Sequence, residues 1–457
     1  MTRHSHVDHL RDEPIPRLLW RLSLPATVGM AVMASYNLVD TIFVGHFVGV
    51  EAIAGLAVAF PLQMIVMGLC QAFGVGGGVM ISLELGRGRL PEAERYLGNV
   101  LFLTLTSALV FTLVTALALD PVLRAFGATP ATLEHARDYV SAMLWGYFPY
   151  CGSVALNNLV RAEGNARVAM ATMLISAGLN ILLDPIFIWG LGWGVAGAAW
   201  ATVVANWASF VWLLAYFLSR RSFVRLRARE IVPRKEPIWR ITALGASVLA
   251  RGTASSVMTI LINQMIMRFG SDLHLAVYGI YYRLQMFLFM PLFGLAQGLQ
   301  PIIGYHEGAD NPGKMREVIG LSTWIATGLS CLAFVVLWAF PEPLIMIFST
   351  EPALVTEGSK MLRIVSIGLP VVGYHVVGTT MFQAMGHAIP AFVLSMSRQV
   401  FFFIPLVLAL PPFFGLWGIW VAFPISDGLA FLVTAAISEP QKRRIRQRAL
   451  DLAARSM

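Results

Sequence analysis

Charge is scarce in this sequence. Only 13% of its 457 residues are Asp, Glu, Lys or Arg, about half the share of an ordinary soluble domain. Cysteine is scarcer still. Cys70, Cys151 and Cys331 each sit in an apolar run, with no CxxC and no paired spacing, so they read as core filler. No GxxxxGK[ST], HExxH or GxSxG motif is present, which removes the familiar enzyme signatures. The Gly74-Val75-Gly76-Gly77-Gly78 run follows no strand and opens no soluble helix. It is therefore expected to permit close helix contact rather than to hold a nucleotide. Without a nucleotide site, and with no cofactor implied, any work has to be drawn from an ion gradient. No soluble stretch is long enough for a folded basic domain, so nucleic acid is excluded as a partner despite the net charge of +8.

What is abundant is apolar surface. Hydrophobic residues make up 57% of the chain, more than a soluble globule can hide from water. That rules out a soluble enzyme and a disordered protein and argues for a polytopic membrane protein in contact with the lipid bilayer. Residues 1–16 are polar, and the apolar run that follows carries no cleavage pattern, so a retained first span is expected. His4, His6 and His9 then belong to a solvated tail rather than to a metal site.

Apolar runs divided by charge and turn clusters predict twelve spans. They lie near 17–45, 52–80, 97–119, 137–159, 168–190, 195–219, 238–268, 274–303, 317–340, 359–384, 388–410 and 415–437. If the N-terminus is cytoplasmic, the inside segments hold 25 Lys and Arg, the outside loops four and the spans four, which accounts for all 33. The positive-inside bias then places both termini in the cytoplasm, in a multi-pass protein of the plasma (bacterial inner) membrane.

The chain also repeats itself. Leu62-Gln63-Met64 returns as Leu284-Gln285-Met286 and Glu163-Gly164-Asn165-Ala166 as Met385-Gly386-His387-Ala388, both 222 residues on. Gly194-x-x-Gly197 returns as Gly415-x-x-Gly418, 221 on. The expected architecture is all-α: two six-helix lobes, residues 1–219 and 241–457, joined by a basic cytoplasmic linker, 220–240. Six is even, so both lobes share one orientation and relate by a pseudo-two-fold axis along the membrane normal.

Three acids fall deep within apolar runs, where a charge costs at least ~2.5–3.5 kcal/mol: Asp40, Asp184 and Asp427. Met33, Asn37 and Asp40 share one helical face, with Tyr36 one turn before Asp40. Pro25, near the start of that helix, permits a bend. Asn180 and Asp184 are one turn apart on another helix, and Thr202 lies in the next span. Carboxylate, amide oxygen and hydroxyl are hard donors, suited to a small hard cation such as Na⁺, although an interhelical hydrogen-bond network would use the same residues. The second half lacks this set, since Asn180 and Asp184 map to Phe402 and Leu406. Asp427 is expected to pair with an intramembrane arginine, Arg398 or Arg363. The 21 methionines suit a pocket accepting many shapes as well as ordinary packing.

These residues resemble a family. Pro25 followed by Asp40-Thr41-Ile42-Phe43-Val44-Gly45, then Ala52-Ile53-Ala54-Gly55-Leu56-Ala57, is similar to the first two spans of the multidrug and toxic compound extrusion (MATE) transporters. Arg161-Ala162-Glu163-Gly164-Asn165, Leu179-Asn180-Ile181-Leu182-Leu183-Asp184-Pro185 and Gly194-Val195-Ala196-Gly197-Ala198-Ala199-Trp200-Ala201-Thr202 extend the likeness through spans four to six. Acids in the first lobe alone resemble its DinF-like branch. The resemblance implies a twelve-helix antiporter that expels organic cations and lipophilic compounds against H⁺ or Na⁺, and a monomer is expected. It implies Asp40 as the central protonation residue and Asn180, Asp184 and Thr202 as a cation cluster, with Tyr139 and Asn157 beside them. The rival readings are a lipid-linked oligosaccharide flippase, which would need several cationic residues lining its central cavity where only Arg251, Arg283, Arg363 and Arg398 of the second lobe are intramembrane, and a membrane-embedded receptor or enzyme, which would need a soluble ligand domain or a catalytic constellation.

Overall fold

The computed structural model describes residues 6–47, 50–219 and 221–455, and the side chains of 6, 36–55, 57 and 131 lie outside that description. The described residues form helices and no strand. In the first half the long helices are α1 (Ile15–Phe47), α2 (Val50–Gly86), α3 (Leu90–Leu117), α4 (Pro130–Ala162), α5 (Ala166–Pro185, continued by a π-helical turn Ile186–Gly190) and α6 (Gly194–Leu218). The second half repeats them as α7 (Lys235–Phe269), α8 (Asp272–Gly308), α9 (Pro312–Ala339) and α10 (Pro352–Ser366 with Leu369–Ala384). It closes with α11 (Ala388–Met396, π-helical over Ser397–Phe403, then Ile404–Ala409) and α12 (Leu416–Arg455).

Ten of these are long and apolar enough to cross a membrane one by one, and the two segments of α10, bent by 48°, make an eleventh together. The remaining helix, α4, has 33 residues. Its Tyr139, Tyr147, Tyr150, Asn157 and Asn158 hold its hydropathy down. The reason is position. α4 packs against α2, α3 and α6, and the second segment of α10 packs against α8, α9 and α12. Each is the hub of its half. A helix screened from lipid by its neighbours can carry polar groups that an outer helix cannot. α10 accordingly buries Ser366, His375, Thr379, Thr380 and Gln383. Outer helices instead present Leu113, Leu117, Trp189, Trp324 and Leu332 at 53–89% exposure, as lipid-facing surfaces do.

Two compact units emerge. One holds residues 1–12 and 28–245, the other 13–27 and 246–457, so α1 and α7 each contribute to both. The 222-residue repeat is written in the backbone. Gly88 and Asp310, 222 apart, both take positive φ (72° and 51°), as do Gly164 and Gly386 (87° and 78°), also 222 apart. Gly194 and Gly415 open α6 and α12 at φ 54° and 56°, a left-handed turn that favours glycine. Three residues on, a Cβ on Gly197 would lie 2.7 Å from the Phe187 backbone, and one on Gly418 2.7 Å from that of Leu410. Both glycines therefore let a helix start close against the irregular end of the helix before it.

Several details depart from expectation. His6–Asp12 is a short helix with Val7 and Leu10 buried, rather than a loose solvated tail. Cys70 of α2 and Cys151 of α4 are disulfide-paired, with Cα atoms 5.1 Å apart, rather than separate fillers. Helix packing joins them across 81 residues of sequence, a distance no spacing rule bridges. The basic C-terminal segment continues α12 as helix.

Candidate functional site

α5 builds the site. Asn165 caps it, accepting from the Val168 amide at 3.3 Å, and the helix runs to Pro185. Proline keeps its own amide out of the ladder, and the next turn widens to a π-helix, the irregularity often met at functional positions. Asp184 sits at this junction, fully buried at 0% exposure, and Asn180 lies one turn before it at 2%. Gly197 allows α6 to pack against that junction.

The close packing brings Thr202 to Asn180. The Asn180 Nδ2 donates to Thr202 Oγ1 at 3.1 Å, and the Thr202 hydroxyl donates to the Ala198 carbonyl at 3.1 Å. The second bond fixes the first: with its only proton spent on Ala198, Thr202 has to accept from the amide NH₂. Asn180 Oδ1 is then the free end of the amide. It is buried and has no hydrogen-bond partner among the described residues. A buried acceptor left so costs ~1–3 kcal/mol, and a bound cation or its water would recover it. Amide oxygen, threonine hydroxyl and the neighbouring carboxylate are all hard oxygen donors, a set that fits H⁺ or Na⁺ and not a soft metal.

Tyr139 and Asn157 both lie on α4. The Tyr139 hydroxyl accepts from Gln63 Nε2 at 2.7 Å, joining α4 to α2. Asn157 donates to the Ala169 carbonyl at 2.9 Å and accepts from Arg161, joining α4 to the start of α5. Met33 lies half-buried on α1, and Pro25 lies within α1, which stays helical through it. The side chains of Tyr36, Asn37 and Asp40 lie outside the described residues. A Cβ on Gly29 would fall on the Met173 side chain, so α1 and α5 meet closely at that level.

One feature is not legible in the sequence. Glu163, in the turn after α4, is 1% exposed and collects the linker. It accepts from the Tyr216 hydroxyl, from the amides of Phe223 and Val224 at 3.2 and 3.3 Å, and lies 2.9 Å from the Ser222 hydroxyl. Asn165 adds a bond to Tyr216 at 2.9 Å. Burial outweighs these donors and pushes the Glu163 carboxyl up to about 7. Only the Arg161–Asn165 motif hinted at it. In the second half, Asp427 meets Arg398 at 2.5 Å, so of the two arginines considered Arg398 is the partner.

Comparison with known proteins agrees with this architecture. The MatE family matches residues 25–186 and 252–408. The multidrug export protein MepA of Staphylococcus aureus is 26% identical over 435 residues, 95% of this chain and 96% of its own. Among solved structures, the MATE multidrug transporter DinF-BH superposes with TM-score 0.87 at 40% identity, over 96% of this chain and 98% of its own. An outward-facing multidrug resistance MATE transporter of the MOP superfamily superposes with TM-score 0.90 at 26% identity, over 97% and 99%. The fold is the twelve-helix, two-lobed one of these transporters. With more than half its length matched, the chain belongs to the MATE family and is a multi-pass membrane transporter, not an enzyme.

Proposed function

We propose that the protein exports lipophilic and cationic drugs from the cell in antiport with H⁺ or Na⁺, alternating between inward- and outward-open forms, with coupling confined to the first half of the chain. The observation that carries this reading is the free, buried Asn180 Oδ1 one turn from the fully buried Asp184, in a chain whose counterpart positions are Phe402 and Leu406.

Register supports a role for Asp40 in the same seat. Successive spans alternate direction, so α1 and α5 run the same way. Asp40 lies 11 residues on from Gly29, and Asp184 lies 11 residues on from Met173, the residue that Gly29 meets. Equal rises of about 16 Å put the two acids at one level. Outward-facing, Asp40 and Asp184 take up the ion with Asn180 and Thr202. Neutralising Asp40 changes its hydrogen bonding, α1 bends at Pro25, the cavity shrinks and the drug leaves. Inward-facing, the ion departs and the carboxylates attract the next cationic drug. One charge moved down 100 mV supplies about 2.3 kcal/mol.

The same reading places the protein in the plasma membrane as a monomer, with both termini in the cytoplasm, where 25 of the 33 Lys and Arg then lie. Its partners are small molecules and lipid. The test is drug flux in proteoliposomes with Na⁺ and pH gradients imposed separately. Asp40→Asn and Asp184→Asn are expected to bind drug yet to abolish gradient-driven flux. Intact driven flux in both variants would remove the carboxylates from the mechanism.

A further inference from the structure

In the second unit, one cleft is strongly basic. Its volume is about 360 Å³, and it lies between the first turns of α9 and the charged continuation of α12. Four cations line it, Arg316, Lys442, Arg443 and Arg446, against one acid, Glu439. The acid is already satisfied: the Tyr374 hydroxyl donates to it at 2.7 Å and Lys442 at 3.2 Å. Lys442 also lies 4.1 Å from the centre of the Tyr374 ring. That leaves Arg316, Arg443 and Arg446, none of which has a hydrogen bond or close ion pair among the described residues, although Arg443 is drawn to Glu439 at longer range. Arg443 and Arg446 share a face of α12, and Arg316 opposes them from α9. The floor is the buried pair Ile319 and Ile445.

The position decides the ligand. Trp324 lines the same cleft at 80% exposure, eight residues beyond Arg316 toward the apolar body of α9. Eight residues rise about 12 Å, so the cleft runs from a guanidinium cluster down onto lipid-facing indole. A water-soluble anion would use only the upper half. A molecule with a negative phosphate above and hydrocarbon below matches both halves, and basic pockets between spans at a membrane face take such headgroups. We propose that this cleft binds the phosphate headgroup of an anionic phospholipid through Arg316, Arg443 and Arg446, with Trp324 against the glycerol and upper acyl chain. The site is independent of the export reading.

The experiment is native mass spectrometry of the full chain with phosphatidylglycerol, phosphatidylcholine, glycerol-3-phosphate and inorganic phosphate. Phosphatidylglycerol is expected to be retained selectively. Each arginine is worth roughly fivefold at a membrane surface, so the triple variant Arg316→Gln, Arg443→Gln, Arg446→Gln should lose about a hundredfold in affinity. The single variant Arg316→Gln should lose about fivefold and covers failure of the triple variant to fold. A charge-matched control, Arg221→Gln, Arg225→Gln, Arg229→Gln in the linker, should lose nothing. Equal loss in the control would mean diffuse electrostatics and overturn the site. Displacement of the lipid by inorganic phosphate or glycerol-3-phosphate at matched concentration would also overturn it, since a free anion would then be the ligand.

Discussion

The side-chain amide of Asn180 on α5 donates to the hydroxyl of Thr202 on α6 at 3.1 Å, and this bond turns the amide oxygen away from Thr202. The orientation depends on Thr202 having both a lone pair to accept with and a proton to give to Ala198. Thr202→Ser keeps both and is expected to behave as the parent. Thr202→Val keeps the shape and loses both. Interhelical bonds of this kind contribute about 0.6–1.7 kcal/mol, so thermal stability in detergent should fall only slightly. The apparent affinity for the driving ion should fall more, because the amide is no longer held. Titrating the ion at fixed drug concentration in proteoliposomes checks this: equal ion affinity in Val and Ser variants would show that the bond is structural only.

Close packing at Gly197 is a second dependency. A Cβ there would lie 2.7 Å from the Phe187 carbonyl carbon and oxygen, both backbone atoms with no rotamer to move. Gly197→Ala should therefore cost about 1–3 kcal/mol through overpacking. Gly178, also on α5, provides the contrast, because a Cβ added there would meet nothing within 4 Å. Gly178→Ala should leave the melting temperature unchanged or raise it, by up to about 1 kcal/mol of helix propensity. Equal melting temperatures for the two variants would refute the packing argument.

Glu163 makes the linker's attachment pH-dependent. Its carboxyl titrates at about 7 in the folded protein against 4.5 for the free group, because burial disfavours the charge. The folded state then holds a proton that the unfolded state has released between those values. Stability attributable to this group is present below about 4.5, falls as pH rises toward 7, and stays lost above it. Glu163→Gln should flatten that slope. Glu163→Ala should free the Ser222–Val224 segment and speed tryptic cleavage after Arg221 and Arg225. Melting curves from pH 5 to pH 8, with limited proteolysis at each end, measure both effects.

Much of this was legible in the sequence, and the reasons differ by feature. The twelve spans followed from hydrophobic run length, because lipid contact imposes a composition that few other environments do. The one helix that does not register as apolar, α4, packs most of its surface against α2, α3 and α6, so composition reports a helix's neighbours as well as its depth. The repeat was legible through Gly194/Gly415 and Gly164/Gly386, where backbone conformation restricts residue choice. The pairing of Asn180 with Thr202 was legible as shared chemistry on adjacent spans. The partners of Tyr139, Asn157 and Glu163 were not, since helix rotation and linker path decide them. Cys70–Cys151 was hidden for the same reason.

The two intramembrane acids with described side chains allow the sharpest contrast. Asp427 is held by Arg398 at 2.5 Å, so the two buried charges satisfy each other. Removing one partner strands the other in a buried site, at about 3–5 kcal/mol. Arg398→Met should therefore melt early, and adding Asp427→Leu should recover most of the loss, since matched apolar pairs are tolerated where single charges are not. The recovered double variant should still couple drug flux to the ion gradient, because no ion has to visit that pair. Asp184→Asn should behave in the opposite way: normal melting, drug still bound, and no response to the gradient. Measuring melting and driven flux on the parent and these three variants separates the roles. A double variant that folds but cannot couple would move the coupling chemistry into the second half and overturn its assignment to the first.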